Sequence, residues 1–150
     1  VHSIFVCLKM LPDCRILYEY HNTHDRSLST GHANSIPDMI LRLETMVLSG
    51  ADLPVAVVRQ QIASAIDIVI HLSRLRDRSR RVTEISEVVG LKDGEIQLNC
   101  LYRFQEQNEV DGHIIGQLAR SAGVLVHQDK LKAAGIQEPS LEAENEVRNS

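Results

Sequence analysis

The spacing of apolar residues along this chain changes period, and the changes divide it into predicted elements. From Ser35 onward, Ile36, Ile40, Leu43, Met46 and Val47 recur at helical spacing, with Asp38, Arg42 and Glu44 mostly on the other side. Asn34 and Ser35 are both suitable N-caps, Pro37 fits a first turn where its missing N–H costs nothing, and Gly50 ends the segment. A second helix is predicted from near Pro54, with Asp52 as its cap. Val55, Val58, Ile62 and Ala65 share one face of it, and Arg59, Gln60 and Ser64 lie elsewhere. The two form a helical hairpin.

The period then drops to two. Ile66, Ile68, Ile70 and Leu72 alternate with Asp67, Val69, His71 and Ser73, as in a strand half buried on a core. Val82 to Val89 alternates likewise, Asp93-Gly94 is a strong hairpin signal, and Glu95 to Tyr102 returns from it, giving an antiparallel meander. Asp111-Gly112 marks another turn, with His113 to Leu118 as an edge strand. A short helix is predicted from Val124 to Ala134, stopped by Gly135, and from Pro139 onward the chain is acidic and polar enough to stay disordered. Upstream, Ile4 to Leu8 reads as a short buried strand, Asp13 to His21 as helix-capable, and Ser27 to Thr30 as a strand that ends at Gly31.

Composition narrows the class. The 150 residues suffice for one domain or a piece of one. With 43% hydrophobic residues but only 3% aromatic ones, the core must be aliphatic and no base-stacking platform is expected. A net charge of −4 argues against a nucleic-acid partner, which calls for a basic footprint. Cys7, Cys14 and Cys100 are odd in number and without metal-type spacing, which fits reduced thiols in a cytoplasm. No apolar run is long enough to span a membrane, and no export signal is recognisable.

Candidate chemistry concentrates in two places. One is Ser27-Leu28-Ser29-Thr30-Gly31-His32-Ala33-Asn34-Ser35, where a strand delivers His32 beside a helix N-terminus, a common way to build an anion site. His21, His24, Asp25 and His32 include ligand types that zinc takes, although His21-x-x-His24 is awkward on a loop and no cysteine joins it, so no metal site is assigned. The other is the connection carrying Arg74, Arg76, Arg78, Arg80 and Arg81. These arginines suit three roles: reaching a neighbouring subunit's nucleotide, lining a solvated loop with Asp77 as partial counter-charge, or meeting an acidic partner. Cys100, His71 and His113 read as ordinary strand residues, and Glu44 and Asp67 as carboxylates facing arginines such as Arg42 or Arg59. Nowhere does Gly-x-x-x-x-Gly-Lys-Ser/Thr occur, the loop whose amides and lysine grip nucleotide phosphates.

His24-Asp25 with Ser27 to Ser35 resembles the histidine box of the type II/type IV secretion ATPase superfamily, and within it the tight-adherence (Flp) pilus assembly ATPases. The likeness continues in order through Arg42-Leu43-Glu44-Thr45-Met46-Val47, Asp52-Leu53-Pro54, Gln61 to Asp67, Ser73 to Asp77 and Ser79 to Ile85, and covers roughly residues 22–135. It implies an α/β fold, the C-terminal portion of a RecA-like P-loop ATPase domain with a helical hairpin and an antiparallel β-meander. It also implies a cytoplasmic hexameric motor, peripheral to the inner face of the cell membrane, that uses ATP and Mg to drive pilus assembly or secretion at an inner-membrane platform protein. His24 and His32 match the histidine box near the γ-phosphate; in a chain without the nucleotide site the alternative reading is that both remain passive loop histidines. Arg74, Arg76, Arg80 and Arg81 match family positions, while Arg78 replaces a glycine.

Residues 1–21 depart from the family and form a divergent start, of the kind a shifted reading frame or degenerate gene start produces. Aligned back from Asn22-Thr23, the water-orienting glutamate of the family falls on Leu8, and the following arginine on Met10. The chain alone is therefore expected to be inactive and to bind no cofactor. A non-catalytic module docking on intact ATPase subunits and a degenerate gene fragment are the alternatives, and residues 136–150 are expected to be a disordered tail.

Overall fold

The computed structural model describes residues 3–8 and 27–128. In chain order the elements are β1 (Ser3–Leu8), β2 (Ser27–Gly31), α1 (Ile36–Gly50), α2 (Val55–Ala65), β3 (Ile66–Arg74), β4 (Arg80–Lys92), β5 (Glu95–Val110) and β6 (His113–Arg120). The two helices pack on a four-stranded antiparallel meander, β3-β4-β5-β6, making a mixed α/β domain. β1 and β2 extend the sheet to the order β2-β1-β3-β4-β5-β6. β1 is antiparallel to both its neighbours, so β2 and β3 run parallel to each other with one strand between them. α1 and α2 make the crossover that such a parallel pair needs.

Local chemistry sets the ends of these elements. Ser35 caps α1, its Oγ accepting from the Asp38 amide at 3.2 Å, and Pro37 sits in the first turn. The expected Asp52 cap does not form. Pro54 occupies the N-cap of α2 without a side-chain bond, because the Leu53 amide already bonds the Ala51 carbonyl and sets the entry of the chain. Both Asp-Gly pairs make tight hairpins. Asp93 (φ 54°) and Gly94 (φ 80°), and Asp111 (φ 51°) and Gly112 (φ 76°), take the left-handed conformations of a turn whose twist matches that of the flanking strands.

The core lies between the helices and one face of the sheet. Ile36, Met39, Ile40 and Val47 of α1 meet Val58 and Ile62 of α2 over Ile66, Val69 and Val88. Met46, expected on this stripe, is 53% exposed. It stands ten positions after Ile36, and at 3.6 residues per turn that is about 80° off the buried line, whereas Val47 falls back onto it. Glu44, expected outside, is buried, and Val55 is exposed.

The meander also corrects the reading of β3. The residues under the helices are Val69 and His71, while Ile68, Ile70 and Leu72 are only half buried. An irregularity where β1 passes from Cys7 to Leu8 shifts register around Asp67, so Ile66 belongs to the helix side while the following isoleucines turn to the other face.

That second face has its own partial cover. After β6 the chain turns back, the Ser121 amide donating to the Leu101 carbonyl at 2.7 Å, and runs along β5 so closely that a Cβ on Gly123 would lie 2.3 Å from the Cys100 carbonyl oxygen. Residues 124–128 are irregular, where the start of a helix was expected, because their amides and carbonyls are taken by sheet side chains. The rest of that expected helix, the expected helix at residues 13–21 and the acidic tail lie outside the described residues. Among the described residues, no helix is long and apolar enough to cross a membrane.

Candidate functional site

Parallel strands in α/β sheets present binding groups at their carboxyl ends. Here β2 and β3 finish at the same end of the sheet. Gly31, Ile4 and His71 form one row across β2, β1 and β3, so the first and last are about 10 Å apart, two strand spacings. His32 follows Gly31 directly, with an exposed side chain and its carbonyl accepting from Arg42 Nη1 at 3.0 Å. That bond ties the loop after β2 to α1. His24, Asp25 and His21 lie outside the described residues.

At the end of β3 the arginines separate into groups. Arg74 pairs across the ladder with Arg80, and Ser73 with Arg81. Arg74, Arg80 and Arg81 are exposed, and no carboxylate pairs with them among the described residues. Arg74 Nε instead donates to the Arg78 carbonyl at 3.3 Å. Arg76 is differently engaged. It bonds Glu106 and, at 3.2 Å, Glu109, tying the β3–β4 turn to the end of β5, and the bonds to Glu106 and then Glu109 hold its pKa above the usual value.

Asp77 does not neutralise the arginines, as its position in the loop had suggested. Its carboxylate accepts from Ser79 Oγ at 2.7 Å, the Ser79 amide at 2.9 Å and the Ile114 amide at 2.9 Å. These bonds, that of the Ser79 side chain foremost, and the nearby His113 lower its pKa to about 2. The turn is thereby clipped to the start of β6. Arg78 has φ 68°.

Below the arginines lies a polar row on the helix side of the sheet. His71 Nδ1 lies 3.1 Å from Thr83 Oγ1 and Nε2 lies 3.3 Å from Ser73 Oγ, so both ring nitrogens of this buried imidazole face hydroxyls. Ser86 donates to Glu84 at 2.8 Å, and Arg103 pairs with Glu84 at 3.3 Å. His113 is exposed, and Cys100 is half buried with its Sγ 3.6 Å from the Tyr102 carbonyl. The same end of the sheet thus carries an exposed imidazole and exposed guanidinium groups, types that can pair with oxyanions, two strand spacings or more apart. No three His, Cys, Asp or Glu side chains gather as metal ligands among the described residues.

Two carboxylates matter more than the sequence indicated. Glu44 was read as facing an arginine, and Arg59 does meet it at 3.0 Å. Arg59 also reaches Glu95 at 2.7 Å and the Gly94 carbonyl, so α1, α2 and the β4–β5 turn share one guanidinium. Its pKa is raised by the bonds to Glu95 and then Glu44. Glu87 was not singled out. It is 1% exposed and accepts from the amides of Val126 (2.9 Å) and His127 (2.8 Å), from Asn99 (3.2 Å) and from His127 Nδ1 (3.0 Å). No local signal announces it, since Asn99 is 12 positions away and Val126 and His127 are 39 and 40 away in the chain. For Asp77, read from the sequence as a counter-charge, an Asp-x-Ser turn pattern signals the Ser79 bonds but nothing local signals the Ile114 bond 37 positions away.

No protein-family model matches the chain, and no curated protein matches it.

Proposed function

We propose that this chain is the relay half of a secretion or pilus-assembly ATPase: it contributes His32 and the exposed arginines to a nucleotide held mainly by another polypeptide. The observation that carries the reading is that β2 and β3 run parallel and end together, placing the residue after Gly31 and the arginines after Ser73 at one end of the sheet. The ordered likeness of residues 22–135 to the tight-adherence pilus ATPases adds the identity of the motor. In that reading the fold is the C-terminal portion of a RecA-like domain, its intact form a hexamer working at an inner-membrane platform protein.

The residues present do not fit an ATP–magnesium site by themselves. The sequence has no glycine-rich phosphate loop, and Leu8 stands where a water-orienting glutamate is needed. What remains is groups that can meet a phosphate already gripped elsewhere, with arginine giving a planar fork of donors and histidine a ring N–H donor. No carboxylate pairs with Arg74, Arg80 or Arg81 among the described residues, whereas Arg76 is held by Glu106 and Glu109 and supports the turn.

The test is nucleotide titration and phosphate release with the purified chain alone and mixed with a full-length ATPase of the family. Expected is no turnover alone, co-purification with the intact subunit, and a change in that subunit's turnover that is lost in Arg80→Ala/Arg81→Ala. Magnesium-dependent hydrolysis by the chain alone would overturn the reading. Co-purification with unchanged turnover would favour a docking module without a catalytic contribution. The outward side of α1 favours that alternative, because Leu41 and Met46 stand exposed beside Asp38 and Arg42 along a groove.

A further inference from the structure

We infer that the outward side of α1 is an interface with a second copy of this chain, two α1 helices crossing antiparallel near Leu41 with Asp38 of each facing Arg42 of the other. A helix whose outer side belongs in water carries charged and polar residues along it. On α1 the exposed positions from Pro37 to Gly50 hold only two charges, Asp38 and Arg42, while Leu41 is 60% exposed and Met46 and Leu48 stand exposed near it. The hydroxyls between them are already satisfied. Thr45 Oγ1 donates to the Leu41 carbonyl at 2.9 Å and Ser49 Oγ to the Thr45 carbonyl at 2.7 Å, so both bond back onto the helix along a groove that Leu41 and Met46 line. Depletion of charge around exposed apolar side chains, methionine among them, is the pattern of an interface core.

The two charges select the partner. Among the described residues neither Asp38 nor Arg42 pairs with an opposite charge. Arg42 Nη1 donates to the His32 carbonyl at 3.0 Å, which leaves most of its N–H groups for another acceptor. One negative and one positive group a helical turn apart are their own complement when turned through 180°. With the two-fold axis at Leu41, Asp38 of one helix is level with Glu44 of the other, about 3 Å along the axis from Arg42. Leu41 then meets its own copy on the axis, with an Asp38–Arg42 pair on either side. A parallel arrangement would set like charge against like. The contact is one helix wide, below the roughly 1,200 Å² of a standard interface, so a Kd of about 10–100 μM is expected. Being isologous, it closes at two copies. It does not rest on the ATPase reading, and its failure would leave that reading as it stands.

Sedimentation velocity on the full chain at low salt, over a series of concentrations, tests it. Expected is a monomer–dimer equilibrium with no larger species, weakened at least about tenfold by Leu41→Asp. Leu41 is exposed in the single chain, so that variant should keep its fold, which its melting curve checks. The deciding variants are Asp38→Lys and Arg42→Glu. Each alone should fail to dimerise, because it sets like charges against each other across the axis, and the two mixed in equal amounts should form a heterodimer. A local effect on α1 would not produce that rescue. A monomer at every concentration would overturn the proposal, whether the face stays bare or another part of the chain lies on it. So would a dimer indifferent to Leu41→Asp, growth beyond two copies, or no association between the two charge variants when both keep the melting curve of the unaltered chain.

Discussion

Replacing Glu87 by glutamine tests whether a buried carboxylate fastens the segment after β6 to the sheet. One carboxylate oxygen accepts from Asn99 and the Val126 amide, and the other from the amide and Nδ1 of His127. Glutamine keeps one acceptor and turns an amino group toward two donors, so two charge-assisted bonds are lost and two donors are left facing a third. Hydrogen bonds to charged groups are worth about 1.5–3 kcal/mol each, which sets a gross loss of about 3–6 kcal/mol. Residues 124–128 lie at the end of the described fold and can detach into water without unfolding the meander, so the observed loss is expected at about 2–3 kcal/mol. It should be local. Hydrogen exchange at the Val126 and His127 amides is expected to accelerate about 30-fold or more, while the β3 and β4 amides change little.

The pH dependence has a definite sign. Burial pushes the Glu87 pKa up, but the Val126 and His127 amides with the Asn99 and His127 side chains outweigh it and hold the folded value below normal. A depressed carboxylate contributes stability that is present above its unfolded pKa and lost as pH falls through the folded one. The unaltered chain should therefore release residues 124–128 in acid, and Glu87→Gln should remove that acid dependence. Unchanged exchange at Val126 and His127, with a stability change under about 0.5 kcal/mol in urea unfolding, would refute the reasoning.

Three further outcomes are expected from substitution, and one from titration. Ile62→Ala, in the core at 1% exposure, should cost about 3 kcal/mol in chemical denaturation. Met46→Ala, on the exposed side of α1, should change stability by less than about 0.5 kcal/mol. Arg78→Gly should stabilise by about 0.5–1 kcal/mol, since glycine relieves the left-handed cost at φ 68° and returns only part of it as unfolded-state entropy; a lower melting temperature would count against that. An NMR titration should find the Asp77 carboxyl at about 2, with the clip to Ile114 intact above the unfolded carboxylate pKa and opening as pH falls through the folded value. A normal midpoint would mean that the Ser79 and Ile114 bonds are not made in solution.

Much of the fold was legible because it is governed by neighbours in sequence. Ser35 caps a helix through an amide three residues on, and Asp-Gly pairs turn because both residues tolerate positive φ. The face of β3 was misread where one irregular residue, Asp67, offsets an alternation that the sequence displays as unbroken. At the candidate site, His32 and the arginines could be named from residue type and spacing. Their assignment to free and engaged groups could not, because Arg76 finds Glu106 and Glu109 only across the folded sheet.

The sequence by itself determined the cap of α1, the two Asp-Gly turns, the aliphatic character of the core and the lack of a phosphate-gripping loop within these 150 residues, all properties of short stretches or of composition. Tertiary structure alone decided which side of each strand lies under the helices, that β2 and β3 end together, and that Glu87 is buried beneath residues far along the chain. The physical reason is that burial and ion pairing depend on strand register. A shift of one residue turns every side chain beyond it to the opposite face.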